Sequence, residues 1–279
     1  MRFLQHKEEA YWFYRYLSIV YDDYVNPWFW TPAMREKAMP LADLNSPELH
    51  VAEVGAGTGF TTEAIVQKVH PKNVYALDQS DFQQAKAKKK PQLNGVNFLL
   101  GDAEQLPWDT DQFDRYVSAG SIEYWPDPQR AIAEAYRILK PGGLALMIGP
   151  ILPKNPIGRF LAEVFMLFPT EMEYRTWYRA AGFVDLKFVN IRPPWIKKEQ
   201  YAIAIVGQKP RAGTSPWKPP SATPIESLSQ KSSSRKNPLL FLARFAIGAI
   251  AGGIFIPIAI MKTGFGWLFG GTEAQVQKG

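Results

Sequence analysis

Three glycines at alternate positions, Gly55, Gly57 and Gly59, stand in the run VAEVGAGTGF, where a β-rich stretch gives way to a helical one. Glycine there permits a tight turn and close approach of backbone to a ligand, with the free N–H groups of the next helix directed at it. The spacing is G-x-G-x-G with Phe60 following, not the G-x-G-x-x-G of a dinucleotide fingerprint. Glu53, two residues before the first glycine, would repel a pyrophosphate and suit a ligand carrying ammonium and sulfonium groups. That combination favours S-adenosylmethionine over a nicotinamide dinucleotide.

Three more loops carry matching chemistry. Asp78 in YALDQS, with Gln79 beside it, ends a second strand-like run and can accept both hydroxyls of a ribose. Asp102 in GDAEQLP ends a third, placed for an adenine amino group, with the Ala103 N–H alongside. Ser118 to Gly120 ends a fourth. One such aspartate alone reads as a cap or turn residue. Four loops in order, each at the carboxyl end of a strand, read as a ligand site.

Positioning these loops requires a sheet. From about residue 49 to 150, short β-rich runs (LHVAEVG, NVYALD, VNFLLGD, DRYVSAG, LALMIGP) alternate with helical ones (TTEAIVQKV, FQQAKAKKK, PQRAIAEAYRILK). Such alternation predicts parallel strands with helices on both faces. KPGG at 140–143 should close one helix and turn into the next strand, and residues 152–182 read as helical cover. FVDLKFVNI and YAIAIVG would complete the sheet. The expected fold is α/β, a doubly wound seven-stranded Rossmann-like sheet over residues 48–208, parallel with an antiparallel final strand, plus a C-terminal membrane helix.

The flanks differ in composition. Residues 1–47 are aromatic-rich (Tyr11, Trp12, Phe13, Tyr14, Tyr16) and predict a helical lid. They lack the plan of a secretory or transit segment. Residues 209–238 hold six prolines, seven serines and six basic side chains against Glu226 alone, which reads as a disordered basic linker. That segment carries +5 of the formal +6 of the 279-residue chain, so the charge points to a membrane surface and not to nucleic acid. In 239–271 the run FAIGAIAGGIFIPIAIM, residues 245–261, is apolar and long enough for an anchor whose basic flank keeps the domain on the cytoplasm-like side. The absence of cysteine and the scatter of His6, His50 and His70 argue against a metal.

The glycine loop with its acids resembles that of class I S-adenosylmethionine-dependent methyltransferases. QHKEEAYWFYRYLSIVYDDYVNP, VGAGTGFTTEAIV, GDAEQLP, DRYVSAGSIEYWPDPQRAIAEAYRILKPGG and the apolar tail together resemble the 2-methyl-6-phytyl-1,4-benzoquinone methyltransferases of the plastid inner envelope. This resemblance implies ring C-methylation of a prenylated benzoquinol on the routes to tocopherols and plastoquinone. It also implies a stromal-facing envelope location, with a bacterial inner membrane facing the cytoplasm as the alternative. A quinol acceptor needs a base near its hydroxyl, and His6 and Glu123 are the candidates. Tyr14, Tyr124 and Trp125 are candidates to stack on its ring. A ubiquinone/menaquinone-type or sterol methyltransferase, a cofactor-binding membrane protein without turnover, and a nicotinamide oxidoreductase are the alternatives. The oligomeric state is left open.

Overall fold

The computed structural model describes residues 30–154, 156, 159, 167–194, 196 and 200–219. Most of the expected lid, including His6 and Tyr14, lies outside them, as do linker residues 220–238 and the apolar tail. Among the described residues no helix is long and apolar enough to cross a membrane.

In chain order the elements are α1 (Pro32–Ala38), β1 (Val51–Val54), α2 (Phe60–Val66), β2 (Val74–Asp78), α3 (Asp81–Ala87), β3 (Asn97–Leu100) and β4 (Phe113–Ala119). Then follow α4 (Pro128–Ile138), β5 (Leu139–Pro150), α5 (Glu171–Ala181), β6 (Val184–Ile191) and β7 (Ala202–Gln208). Seven strands form one sheet in the order β3-β2-β1-β4-β5-β7-β6. Strands β1 to β5 pair in parallel, and β7 runs antiparallel to both β5 and β6. The expected sheet and its single reversed strand are both present.

Local chemistry explains the helix starts. Thr31, Ser80, Asp127 and Thr170 each accept a backbone N–H of the first turn, and proline follows Thr31 and Asp127 at the helix start. Thr170 and Glu173 form a reciprocal capping box, and Gly182 closes α5 in the left-handed conformation at φ 98°. Strand side chains alternate between two apolar layers. Tyr116, Ala145, Met147, Ile203 and Ile205 face α4 and α5, while Val117, Leu146, Ile148, Ala204 and Val206 face α1 and α2. Burying each large side chain this way contributes about 1.5–3 kcal/mol.

Two segments differ from expectation. KPGG does not separate α4 from the next strand, because α4 ends at Ile138 and β5 starts at Leu139. The four residues bulge within β5, where pairing with β4 jumps from Phe113↔Leu139 to Arg115↔Leu144 and Gly142 takes φ 80°. The start of the expected linker is ordered. Lys209 is completely buried, and its ammonium donates to Asp111 Oδ1 at 2.5 Å, Gly213 O at 2.7 Å and Arg137 O at 3.2 Å. All three ammonium protons are thereby accepted, beside the Tyr136 ring with Nζ 4.7 Å from its centroid.

Candidate cofactor and acceptor site

A cleft opens at the carboxyl ends of β1 to β5, the place where an open α/β sheet holds its ligands. Its floor is the glycine loop. Gly55 and Ala56 both donate to Leu77 O, at 2.8 and 3.1 Å, which ties the loop to the end of β2. Gly55 has φ 77°, and a Cβ there would run into the Ser121 side chain.

Asp78 organises the next loop. Its Oδ2 accepts the Gly57 N–H and its Oδ1 the Ser80 N–H, each at 2.8 Å. Burial pushes the carboxyl above its usual range, while N–H groups of Ser80, Gly57 and Gln79 work against the rise. Each oxygen keeps an acceptor site for a ribose hydroxyl. Gln79 is exposed beside it on the cleft wall. Asp102 and Ala103 also line the cleft, with Asp102 Oδ1 held by the Glu104 N–H at 3.0 Å. Glu104 in turn accepts the Asp127 N–H at 2.9 Å, fixing this loop against the start of α4.

Two expected contacts fall one layer deeper. Glu53 is 1% exposed and does not line the cleft, and its Oε2 has no hydrogen-bond partner among the described residues. Burial pushes its carboxyl up to about 8, against the hydrogen-bonding influence of Thr62 and with the Asp78 charge adding to the rise. The expected carboxylate facing the ligand is therefore corrected to a protonated carboxyl beneath the loop at neutral pH. Ser118 is also fully buried; its Oγ lies 2.7 Å from Ser121 Oγ, and it is Ser121 that reaches the cleft. The strand's alternation placed Ser118 inward without showing that the wall is made three residues later.

The other side of the cleft is apolar. Trp30, Met34, Ile148 and Ile191 line it together with Tyr124 and Trp125, so both aromatics expected near an acceptor ring are on the wall. Trp30 is fixed edge-on to Tyr201, with centroids 6.2 Å apart. Glu123, between Ser121 and Tyr124, is 4% exposed and its carboxyl does not line the cleft. Its Oε2 lacks a partner among the described residues, and burial pushes its carboxyl up to about 8. Arg35 of α1, unmarked in the sequence, lines the cleft near the glycine loop. The Thr31–Pro32 cap signal announces its helix, but nothing local announces its position.

Among the described residues no cluster of His, Asp or Glu has the arrangement of a metal site. The glycine cradle, too tight for a side chain at Gly55, and the paired acceptor sites on Asp78 fit a nucleoside with a close-lying backbone contact. S-Adenosylmethionine meets that description; when bound it supplies an electrophilic methyl group on a sulfonium.

Comparison with known proteins identifies the fold and the family. A family model described as "Methyltransferase domain" matches residues 52–147. The chain is 50% identical over 264 residues to the chloroplastic 2-methyl-6-phytyl-1,4-hydroquinone methyltransferase of Arabidopsis thaliana, covering 93% of this chain and 77% of that protein. It is 49% identical over 264 residues to 2-methyl-6-phytyl-1,4-hydroquinone methyltransferase 2 of Oryza sativa subsp. japonica, covering 93% and 74%. The structure is similar to that of geranyl diphosphate C-methyltransferase from Streptomyces coelicolor, solved with S-adenosyl-L-homocysteine, with TM-score 0.54, 15% identity, and coverage of 63% of this chain and 77% of the other. The fold is thus that of the methyltransferases, and the chain is an S-adenosylmethionine-dependent methyltransferase belonging to the family of 2-methyl-6-phytyl-1,4-hydroquinone methyltransferases.

Proposed function

We propose that the chain methylates the ring of a prenylated benzoquinol, of the 2-methyl-6-phytyl or 2-methyl-6-solanesyl type, in tocopherol and plastoquinone formation. The observation that carries this reading is one cleft with two unlike walls. Asp78 and Asp102 offer acceptors for an adenosine, and Trp30, Met34, Ile148, Tyr124 and Trp125 offer an apolar slot for a ring with a hydrocarbon tail. The relatives named for a phytyl hydroquinone support the choice of acceptor.

In this reading Tyr124 and Trp125 bracket the ring and exclude water from the methyl donor. Such alignment is worth roughly 7–11 kcal/mol in a displacement reaction. The acceptor hydroxyl, with a phenolic pKa near about 10, gives its proton to Glu123 or to His6, and charge delocalises to the ortho carbon. Glu123 lies one layer behind the wall beside Tyr124. Its carboxyl, pushed up to about 8, would act as a base stronger than an ordinary carboxylate only after losing its own proton and turning towards the cleft, so this role belongs to the alkaline side of neutrality. His6 and Tyr14 belong to the proposed lid, outside the described residues.

The proposal extends to the tail. A prenyl chain keeps the acceptor in the bilayer, since each buried CH₂ is worth about 0.8 kcal/mol. Residues 239–271 would anchor the enzyme beside it, and the basic linker would favour an anionic surface. The chloroplastic relatives support a plastid location. An envelope position with the domain on the stromal side is proposed more finely from the apolar run and its basic flank.

The test is incubation of detergent-solubilised protein with labelled S-adenosylmethionine and reduced 2-methyl-6-prenyl-benzoquinols, alongside a demethylmenaquinol and a sterol, with mass spectrometry of the lipids. Ring-methylated benzoquinol is the expected product. Methylation confined to the menaquinol or sterol would overturn the acceptor assignment.

A further inference from the structure

We propose that Arg35 forms a subsite for the carboxylate at the amino-acid end of the cofactor, setting affinity for S-adenosylmethionine and S-adenosylhomocysteine. The proposal rests on the assignment of this cleft to the cofactor. Charge on the cleft wall is divided. The acids Asp78 and Asp102 lie at the ends of β2 and β3, and Arg35 is the cationic side chain among the described residues that line the cleft.

Arg35 is held where it is needed. Its Nη1 donates to Phe60 O at 2.5 Å, and its guanidinium carbon lies 4.2 Å from the centroid of the Phe60 ring. Phe60 is the first residue of α2, directly after Gly59 of the loop. The guanidinium is therefore fixed to the same turn that cradles the ligand. No carboxylate among the described residues pairs with it, and its remaining N–H groups have no partner there. A guanidinium anchored through one nitrogen still offers a planar fork that matches a carboxylate.

The sheet order supplies the direction. A ligand whose ribose meets Asp78 and whose base meets Asp102 has its adenosine over β2 and β3. Its amino-acid end then continues across the β1 loop, towards Phe60 and α1. The only anionic group of the cofactor is the carboxylate at that end. A phenolate forming on the acceptor is the other anion the cleft could meet, but the acceptor slot is built from Trp30, Met34 and Ile148, while Arg35 is bound to the glycine-loop side.

The test compares two ligands on the full-length protein by calorimetry. S-Adenosylhomocysteine carries the amino acid, and 5′-methylthioadenosine keeps the nucleoside and thioether but lacks it. Arg35→Gln should weaken S-adenosylhomocysteine by about 10- to 100-fold, the range of a charge-assisted hydrogen bond. It should change 5′-methylthioadenosine by less than about twofold, with Arg35→Lys in between for the first ligand. Retained binding of the truncated ligand shows that the variant is folded. Equal loss for both ligands overturns the proposal, as does unchanged S-adenosylhomocysteine affinity with a fall in kcat, which would place Arg35 on the acceptor. If the wild-type protein binds neither ligand, or binds them independently of Asp78, the cofactor assignment of the cleft fails instead.

Discussion

Asp78 Oδ2 accepts the Gly57 N–H at 2.8 Å, so the carboxylate that ends β2 also fixes the loop that ends β1. The same group holds Ser80, the N-cap of α3, through Oδ1. One side chain thus sets the spacing between the glycine cradle and the start of the next helix before any ligand is present. A nucleoside entering the cleft meets acceptors already oriented, which limits the ordering that binding would otherwise cost.

Asp78→Asn should separate these tasks. An amide offers one acceptor oxygen, so either Gly57 or Ser80 loses its partner and a ribose hydroxyl meets a donor in place of an acceptor. S-Adenosylhomocysteine affinity should fall at least about tenfold, with a stability loss of about 1–2 kcal/mol. Calorimetry and urea unfolding check both; an unchanged Kd would remove Asp78 from the ribose contact.

Gly55→Ala tests the cradle. At φ 77° an L side chain is strained by about 1–3 kcal/mol, and the new methyl meets Ser121, whose Oγ is hydrogen-bonded to Ser118 at 2.7 Å. Cofactor binding should be lost with most of the activity. Adding Ser121→Gly removes the collision but not the strained φ, so the double variant should recover part of the binding. Full binding by the single variant would contradict the close packing of these two loops.

The glycine loop, Asp78, Asp102 and Tyr124–Trp125 were legible because each follows a strand in a repeating strand–loop–helix pattern. Depth was not. Glu53 and Ser118 belong to strand ends, where alternation assigns a face but cannot distinguish a wall residue from one beneath it. Arg35 enters through a helix packed from outside the repeat, where the Lys37 ammonium donates to Asn190 O of β6 at 3.1 Å. Lys209 opens a proline-rich run whose composition favours disorder, and its partner Asp111 is 98 residues away in sequence. Local composition carries no information about such a pairing.

The Lys209–Asp111 pair should therefore matter for stability at the end of the sheet opposite the cleft. Burial acts to raise the Asp111 carboxyl, but the hydrogen bonds from Lys209 and the Gly213 N–H outweigh it and hold the group below its usual range. Its contribution is present above the ordinary carboxyl pKa and is lost as pH falls through the lowered value. Asp111→Ala would leave a fully buried ammonium without its counter-charge, a loss of about 3–5 kcal/mol and a Tm lower by roughly 2–4 °C for each of these. Asp111→Ala/Lys209→Met should regain much of it, with cofactor affinity unaltered throughout. An unchanged Tm for Asp111→Ala would show that residues 209–213 do not hold the domain.

Glu53 and Glu123 predict the opposite dependence on pH. Both carboxyls are raised by burial from 4.5 to about 8, so between those values the folded chain binds more protons than the unfolded one. Stability should be greatest near the acid end of this window and fall as pH rises, by at most about 1.4 kcal/mol per pH unit for each carboxyl. Glu53→Gln and Glu123→Gln keep the volume and cannot ionise, so each should flatten its share of the slope in urea unfolding at pH 5.5 and 8. The two variants should differ in catalysis. If Glu123 takes the acceptor's proton, wild-type kcat rises with pH through about 8, and Glu123→Gln both lowers kcat and abolishes that rise while cofactor Kd is kept. A Glu123→Gln enzyme with the wild-type pH profile would confine this residue to packing behind Tyr124 and Trp125 and leave His6 as the base. Glu53→Gln should retain the kinetic profile, because its carboxyl lies beneath the loop and already carries its proton at neutral pH.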